Sequence, residues 1–339
     1  MRAFVITAPG RGEVQEVATP VAEPGTVVVR VARVGVCGTD SEFFSGHMAY
    51  LDSGHARYPI RIGHEWCGEV TQIGAGVEET WLGRRVTGDT MLGCRECARC
   101  RSGRQHLCER RSEIGIRNGW PGALAEYLMV PETSLVPLSD AVDDTLGALV
   151  EPGGNALRSV RGANLSPGSR LLVIGAGAIG LLVGQMARAE LAEVHFLARS
   201  ERSAAFARSL GFAHVFHADA LAEQPLFDAV VDASNDAGAP ALAASLVEPG
   251  GRLVFVGLAG TPSVLDTRTI ALNDVTAVGV LSASGGLEGT ADLYASGAVD
   301  PRPLVAATVG LDDVAAVLHG ERPDGAGAGP KIHVDPQRL

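Results

Sequence analysis

Residues 170–180 read RLLVIGAGAIG, and this run limits the fold more than any other stretch of the 339 residues. A short apolar strand leads into glycines at 175, 177 and 180, and the helical pattern LLVGQMARA follows at once. Glycine permits a tight turn, while the first helical turn offers unpaired N–H groups and positive potential to a pyrophosphate. A lone G-x-G-x-x-G is weak. Between a strand and a helix it predicts a dinucleotide site built from Gly175, Gly177, Ala178, Ile179 and Gly180. The rhythm then repeats through EVHFL, SERSAAFARSLG, FDAVVDAS, GAPALAASLVE and GRLVFVGL. Strands that alternate with helices and lack polar alternation require a parallel sheet covered on both faces. The reading is α/β, with a doubly wound parallel sheet. Ser234 in FDAVVDAS and Gly257 in GRLVFVGL are further cofactor candidates.

An acid at the end of the second strand would accept hydrogen bonds from a ribose 2′-OH and favour NAD. Here that place falls on or near Ala198, and Arg199, Ser200 and Arg202 follow. Arginine pairs bidentately with phosphate, so NADP(H) is the expected cofactor. The plain alternative is a solvated helix start.

The first third has another grain. TVVVRVARVGVCG, WCGEVTQIGAGVE and GRRVTGDTMLG are short strand patterns closed by glycine, which suit an antiparallel, barrel-like domain. No signal-peptide pattern opens the chain and no apolar run is long enough for a membrane span, so the expectation is a cytoplasmic protein with no membrane partner. The net charge of −11 disfavours a general polyanion-binding role.

In a reducing compartment clustered cysteines argue for metal before disulfide. Cys94, Cys97, Cys100 and Cys108 are spaced C-x2-C-x2-C-x7-C. Four thiolates suit tetrahedral zinc with no open position, hence a structural site. Arg95, Arg99, Arg101 and Arg104 could offset its negative charge. A nucleic-acid finger would need a histidine pair or a basic helix, and neither is present, so no nucleic-acid partner is expected. Elsewhere Cys37 stands in VGVCGTD, His64 and Glu65 in RIGHEWCGEV, and Glu151 in ALVEPGGNA. Cysteine, histidine and carboxylate with one position left over form a catalytic zinc set. Cys67 reads as a small buried hydrophobe.

These motifs stand in the order of the zinc-dependent medium-chain dehydrogenases, an alcohol and polyol dehydrogenase family that the chain resembles over nearly its whole length. The resemblance implies a GroES-like β-barrel catalytic domain over 1–148 with a structural-zinc lobe at 94–108, a Rossmann NADP-binding domain over 149–285, and a return to the catalytic domain over 286–339. It implies two zinc ions per chain. Cys37 and His64 would ligate the catalytic ion, with Glu65 and Glu151 as a ligand or a carboxylate exchanging with water; the four clustered cysteines would hold the structural ion. Thr39 would be the hydroxyl that takes the substrate's proton, and Lys331 a cation near the pyrophosphate or else a surface lysine.

Many relatives carry histidine where this chain has Glu42, in CGTDSEFFSGH, a feature similar to archaeal-type glucose dehydrogenases. A carboxylate there would accept bonds from vicinal hydroxyls, and His47 could serve as the proton relay. Phe43, Phe44, Tyr50, Trp66 and Trp120 are candidate pocket walls. The expected activity is interconversion of a secondary alcohol and a ketone in a sugar, polyol, cyclitol or amino-substituted small molecule. EPGGNA is similar to threonine dehydrogenases, which keeps a threonine-type or simple secondary-alcohol substrate as the alternative. A zinc-free quinone or enoyl reductase and an NADPH-sensing or scaffold protein are weaker readings. Family habit implies a homodimer or homotetramer.

Overall fold

A computed structural model describes residues 1–221 and 224–338. It divides into two compact units: residues 1–151, 294–296 and 304–339 form the first, and residues 152–293 and 297–303 the second. The domain edges expected from the sequence fell at 148/149 and 285/286.

The first unit is organised around the strand Thr26–Gly35, whose Val27, Val28, Val29, Val31 and Val34 are buried. Branched residues on a buried pleated surface favour such a strand. It pairs antiparallel with Glu65–Ile73, with Tyr127–Pro131 and with Lys331–Val334. Arg85–Gly88 and Leu135–Pro137 extend the sheet on one side, and Val305–Val309 pairs parallel with Lys331–Val334 on the other. One parallel pair therefore interrupts the expected antiparallel pattern. After Thr26–Gly35 the chain enters the helix Gly38–Ser45, which ends at Gly46 with a positive φ of 82°. Phe43 and Phe44 lock this helix into the core, each side chain worth roughly 1.5–3 kcal/mol of burial.

The second unit holds a six-stranded, wholly parallel sheet in the order His214–Phe216, Glu193–Leu197, Arg170–Ile174, Phe227–Asp232, Val247–Phe255, Thr276–Gly279. Its inner strands are apolar on both faces, as a covered parallel sheet requires: Leu171, Leu172, Val173, Val230 and Val231 are all buried. The helices Ala178–Ala189, Glu201–Ser209 and Ala239–Leu246 make the crossovers where the sequence places them. Among the described residues, no helix is long and apolar enough to cross a membrane.

Candidate active site and metal centres

Cys37 caps the N-terminus of the helix Gly38–Ser45. Asp40 turns its carboxylate back to accept the Cys37 N–H at 2.9 Å and the Gly63 N–H at 3.2 Å. Asp40 is wholly buried, so it ties the cysteine loop to the segment carrying His64. Its Oδ1 also stands 3.7 Å from His64 Nδ1. A carboxylate behind an imidazole fixes the ring's orientation and raises its basicity as a ligand. Asp40 was not singled out in the sequence, although it closes the CGTD motif; a carboxyl three residues after a helix cap was the available signal.

Glu65 arrives by strand register, opposite Gly35 at the end of the ladder. A Cβ on Gly35 would collide with the Glu65 carboxylate, so glycine makes room for it. The Cys37 sulfur, a His64 ring nitrogen and a Glu65 oxygen lie within 4.8 Å of one another. Lys331 approaches from the last strand: its ammonium donates to both Glu65 oxygens, and to the Val36 carbonyl at 3.1 Å. Both members of this ion pair are buried, where a carboxylate left alone would be severely destabilising. Burial alone would lower the Lys331 pKa, but Glu65 and Cys37 outweigh it and raise it. Lys331 thus departs from both expectations. It is 4% exposed, and the donors that could have reached a pyrophosphate are taken up by Glu65 and Val36.

His64 is buried and its Nδ1 has no hydrogen-bond partner. Burial would lower its pKa, yet Asp40, Cys37 and Glu151 raise it well above the ordinary value. Glu151 is itself buried and acts on His64 through its charge, but it is not one of the three residues whose ligand atoms converge. A thiol, an imidazole and carboxylates drawn together out of water leave an excess of negative potential. A divalent cation relieves it, and the S, N and O donors are those of a catalytic zinc. The residues fit the metal.

The four-cysteine lobe fits a second. The sulfurs of Cys94, Cys97, Cys100 and Cys108 lie within 4.8 Å of one another, and none forms a disulfide. Cys97 caps the short helix Ala98–Arg101, its sulfur accepting the Cys100 N–H at 3.4 Å; Cys108 does the same for the Cys94 N–H. Backbone N–H groups lower the Cys94 thiol to about 6, while burial pushes Cys100 up to about 12. Four sulfurs this close cannot all ionise unless a cation joins them. The arginines behave differently from expectation. Arg110 touches a sulfur, at 3.2 Å from Cys94, whereas Arg99 pairs with Glu109 and Arg101 reaches the Glu96 carbonyl.

In the second unit Gly175 adopts φ 103°, and a Cβ on Gly180 would collide with the Gly175 carbonyl. Gly177 caps the helix Ala178–Ala189 without a side-chain acceptor, which leaves first-turn N–H groups for a phosphate. Ser234 and Gly257 meet beside this turn: both strand ends are held by Asp232, and a Cβ on Gly257 would strike Ser234. Arg199 and Arg202 are exposed and have no ion-pair or hydrogen-bond partner among the described residues. Ser200 caps the helix Glu201–Ser209, accepting the Ser203 N–H at 3.2 Å.

Thr39 is half-buried in the first turn of the Cys37 helix. Glu42 and His47 are exposed near its far end, with His47 Nδ1 3.1 Å from Ser45 Oγ. Partial desolvation raises the Glu42 pKa. Several candidate pocket walls prove to be core. Phe43, Phe44 and Trp66 are buried, Trp120 donates to the Met129 carbonyl, and Tyr50 is held by Glu113 and Arg111. Large aromatic side chains in a strand or helix fill the interior unless something else does. Cys67 is buried as read, its thiol pushed up by desolvation.

Residues 23–140 match the alcohol dehydrogenase GroES-like domain, and residues 178–296 match the zinc-binding dehydrogenase domain. An L-threonine 3-dehydrogenase of Saccharopolyspora erythraea is 33% identical over 83% of this chain and 83% of its own. An L-galactonate-5-dehydrogenase of Escherichia coli (strain K12) is 33% identical over 70% of this chain and 71% of its own. Among solved structures, a chain of Sinorhizobium meliloti 1021 bound to NADP superposes with a TM-score of 0.89, at 27% identity and 99% coverage of both chains.

Proposed function

The chain belongs to the zinc-dependent medium-chain dehydrogenases, and from that premise we propose an NADP-preferring enzyme that interconverts a secondary alcohol and a ketone in a polyhydroxylated or amino-substituted small molecule. The observation that carries this reading is the convergence of a half-buried Cys37 with buried His64 and Glu65, backed by Asp40 and Lys331. When bound, zinc supplies Lewis acidity at the alcohol oxygen and the nicotinamide supplies the hydride acceptor. The chain's own residues do the rest. Cys37 and His64 would hold the metal. Glu65, whose oxygen converges with them, would complete the set with its charge balanced by Lys331, or exchange that place with the nearby Glu151. Asp40 orients His64. Thr39 accepts the substrate's hydroxyl proton, and His47 passes it outward. The Glu42 carboxyl accepts bonds from neighbouring substrate hydroxyls.

The NADP preference rests on Arg199 and Arg202, two exposed guanidiniums with no acid at Ala198 to repel a 2′-phosphate. The nearby Glu201 is already ion-paired with Arg208, at 2.9 Å. The relative solved with NADP supports the same choice. A threonine-type substrate is the second reading, favoured by EPGGNA at 151–156 and by the names of several relatives. Exposed Leu258, Val264 and Leu272, which precede the edge strand Thr276–Gly279, support assembly as a homodimer or homotetramer.

The test follows NADP⁺ reduction by absorbance across sugars, polyols, cyclitols, amino alcohols and simple secondary alcohols, with NAD⁺ and a chelator as controls. A chelator-sensitive signal with polyhydroxylated substrates supports the proposal. A signal confined to threonine-like or simple alcohols moves the substrate class to the second reading. Equal kcat/KM with both cofactors overturns the NADP preference. Tight NADPH binding with no turnover would point to a specialised substrate outside the panel or to a sensor.

A further inference from the structure

The second unit contains another convergence of ligating side chains, which the dehydrogenase chemistry does not use. Glu193 and His195 are alternate residues of the strand Glu193–Leu197, so both stand on one face of the sheet. His214 is the cross-strand partner of His195 on the edge strand His214–Phe216. Glu193 and His214 open their strands and His195 stands at the middle of its own, whereas Gly175 follows the C-terminal end of the neighbouring strand Arg170–Ile174. The cluster therefore opens toward the end of the sheet away from the glycine turn.

Its geometry is convergent. His195 Nε2 lies 2.9 Å from Glu193 Oε1, and His214 Nε2 lies 3.7 Å from the same oxygen. The imidazole rings are stacked with centroids 4.5 Å apart, and the three ligand atoms fall within 4.8 Å of one another. His195 is 2% exposed and is fixed edge-on against Phe227, with ring centroids 5.1 Å apart. The side chains of Glu193 and His214 are 46% and 47% exposed, so an ion can reach the cluster without disturbing the core.

We propose that Glu193, His195 and His214 form a third metal site, which binds a divalent first-row transition ion such as Zn²⁺, Ni²⁺ or Cu²⁺ and completes its coordination with water. Two imidazoles and one carboxylate suit these ions, whereas Ca²⁺ and Mg²⁺ prefer oxygen alone. The ion takes the place of the proton shared between His195 and Glu193. Its strength has a built-in limit. Metal on His195 Nε2 places the ring's remaining proton on Nδ1, which is buried and has no acceptor. Ligating histidines ordinarily donate that N–H, so this site is weaker than the four-cysteine centre and a chelator empties it first. Its effect is to staple the three-residue edge strand to its neighbour.

The experiment compares zinc-replete wild-type enzyme with His214→Ala and Glu193→Gln, each dialysed against buffered free Zn²⁺ and analysed for bound metal. Wild type should hold about one equivalent more than either variant, as expected for a three-ligand site that loses one donor. Its Tm should also rise on addition of Ni²⁺, with little rise in the variants. Only the difference between chains is read, so the result does not depend on occupancy of the other centres. Glu193→Gln preserves shape and decides the matter if His214→Ala folds poorly. Equal metal content and equal Ni²⁺ response in all three proteins would overturn the site.

Discussion

The four cysteines of the lobe all come from residues 94–108, whereas the reactive cluster draws on residue 37, residues 64 and 65, and, through Lys331, the last strand of the sheet. The lobe sulfurs are satisfied locally, by backbone N–H groups and one exposed arginine. In the reactive cluster each ligand has a partner from elsewhere: Asp40 behind His64, Lys331 behind Glu65, and Gly35 leaving space. The difference teaches what each centre needs. A closed structural centre needs four sulfurs and a short chain to carry them. A centre that must react needs its charges adjusted, and that takes contacts from across a fold.

The largest expected effect separates the two at once. Cys37→Ser should lower kcat on the order of 10³-fold or more, the equivalent of several kcal/mol of lost Lewis-acid stabilisation. NADPH binding, followed by fluorescence, should survive. Cys97→Ser should instead expose residues 94–108 to limited proteolysis, a change that Cys37→Ser does not produce. If Cys97→Ser removes turnover as deeply while its lobe stays protease-resistant, the comparison is wrong.

Asp40→Asn comes next. Losing the carboxylate behind His64 should cost about 10–100-fold in activity or catalytic-metal affinity, with the four-cysteine metal retained. Metal analysis at fixed free zinc, alongside kcat, reads both. Loss of both metals together would show that Asp40 holds the fold rather than the site.

Acid should stress the two regions for different reasons. His333, beside Lys331 in sequence, is wholly buried with both ring nitrogens unpartnered; burial first, then Lys331 and Arg33, lowers its pKa to about 3. The native ring stays neutral while the unfolded chain takes up a proton below a pKa of about 6.5. Stability is therefore whole above that pH and falls toward pH 3, by about 1.4 kcal/mol per unit, or about 2 kcal/mol at pH 5. His333→Leu should flatten this loss in urea midpoints compared at pH 7 and pH 5. Added zinc should not substitute for it, although zinc should restore metal lost from the lobe. An unchanged slope in the variant would remove His333 from the account.

The smallest effect belongs to Arg110→Ala, which removes the guanidinium donor to Cys94. Zinc should leave the lobe somewhat faster when a chromogenic chelator competes for it, with kcat unchanged. A rate identical to wild type would mean that the backbone donors suffice.

What could be read from the amino acids follows the same division. The cysteine spacing and the strand–glycine–helix run are local patterns, and both stand in the structure as local objects. Cys37, His64 and Glu65 were legible because they sit in two short motifs, VGVCGTD and RIGHEWCGEV. Lys331 was not, because its partner is set by the pairing of His333 with Gly35 across most of the chain. Phe43, Phe44 and Trp66 were misplaced for a related reason: an aromatic side chain has the same sequence signature in a pocket wall and in a core. Asp40 lay in plain view, and its role emerged only when its two N–H donors and His64 were seen around one buried carboxylate.

The strand Lys331–Val334 lies inside its sheet, between Val305–Val309 and Thr26–Gly35. Synthesis delivers Cys37, His64 and Glu65 long before the counter-ion of Glu65, which lies 266 residues further along the chain. Until then the central strand has an open flank, and a carboxylate in the nascent core has nothing to neutralise it. The nucleotide-binding unit, made almost entirely of one uninterrupted stretch, suffers no such wait. The unit whose synthesis starts first thus waits for strands that follow almost the whole of the other unit. A chain halted before residue 331 would leave Glu65 buried without its cation, an arrangement that strongly destabilises the catalytic centre.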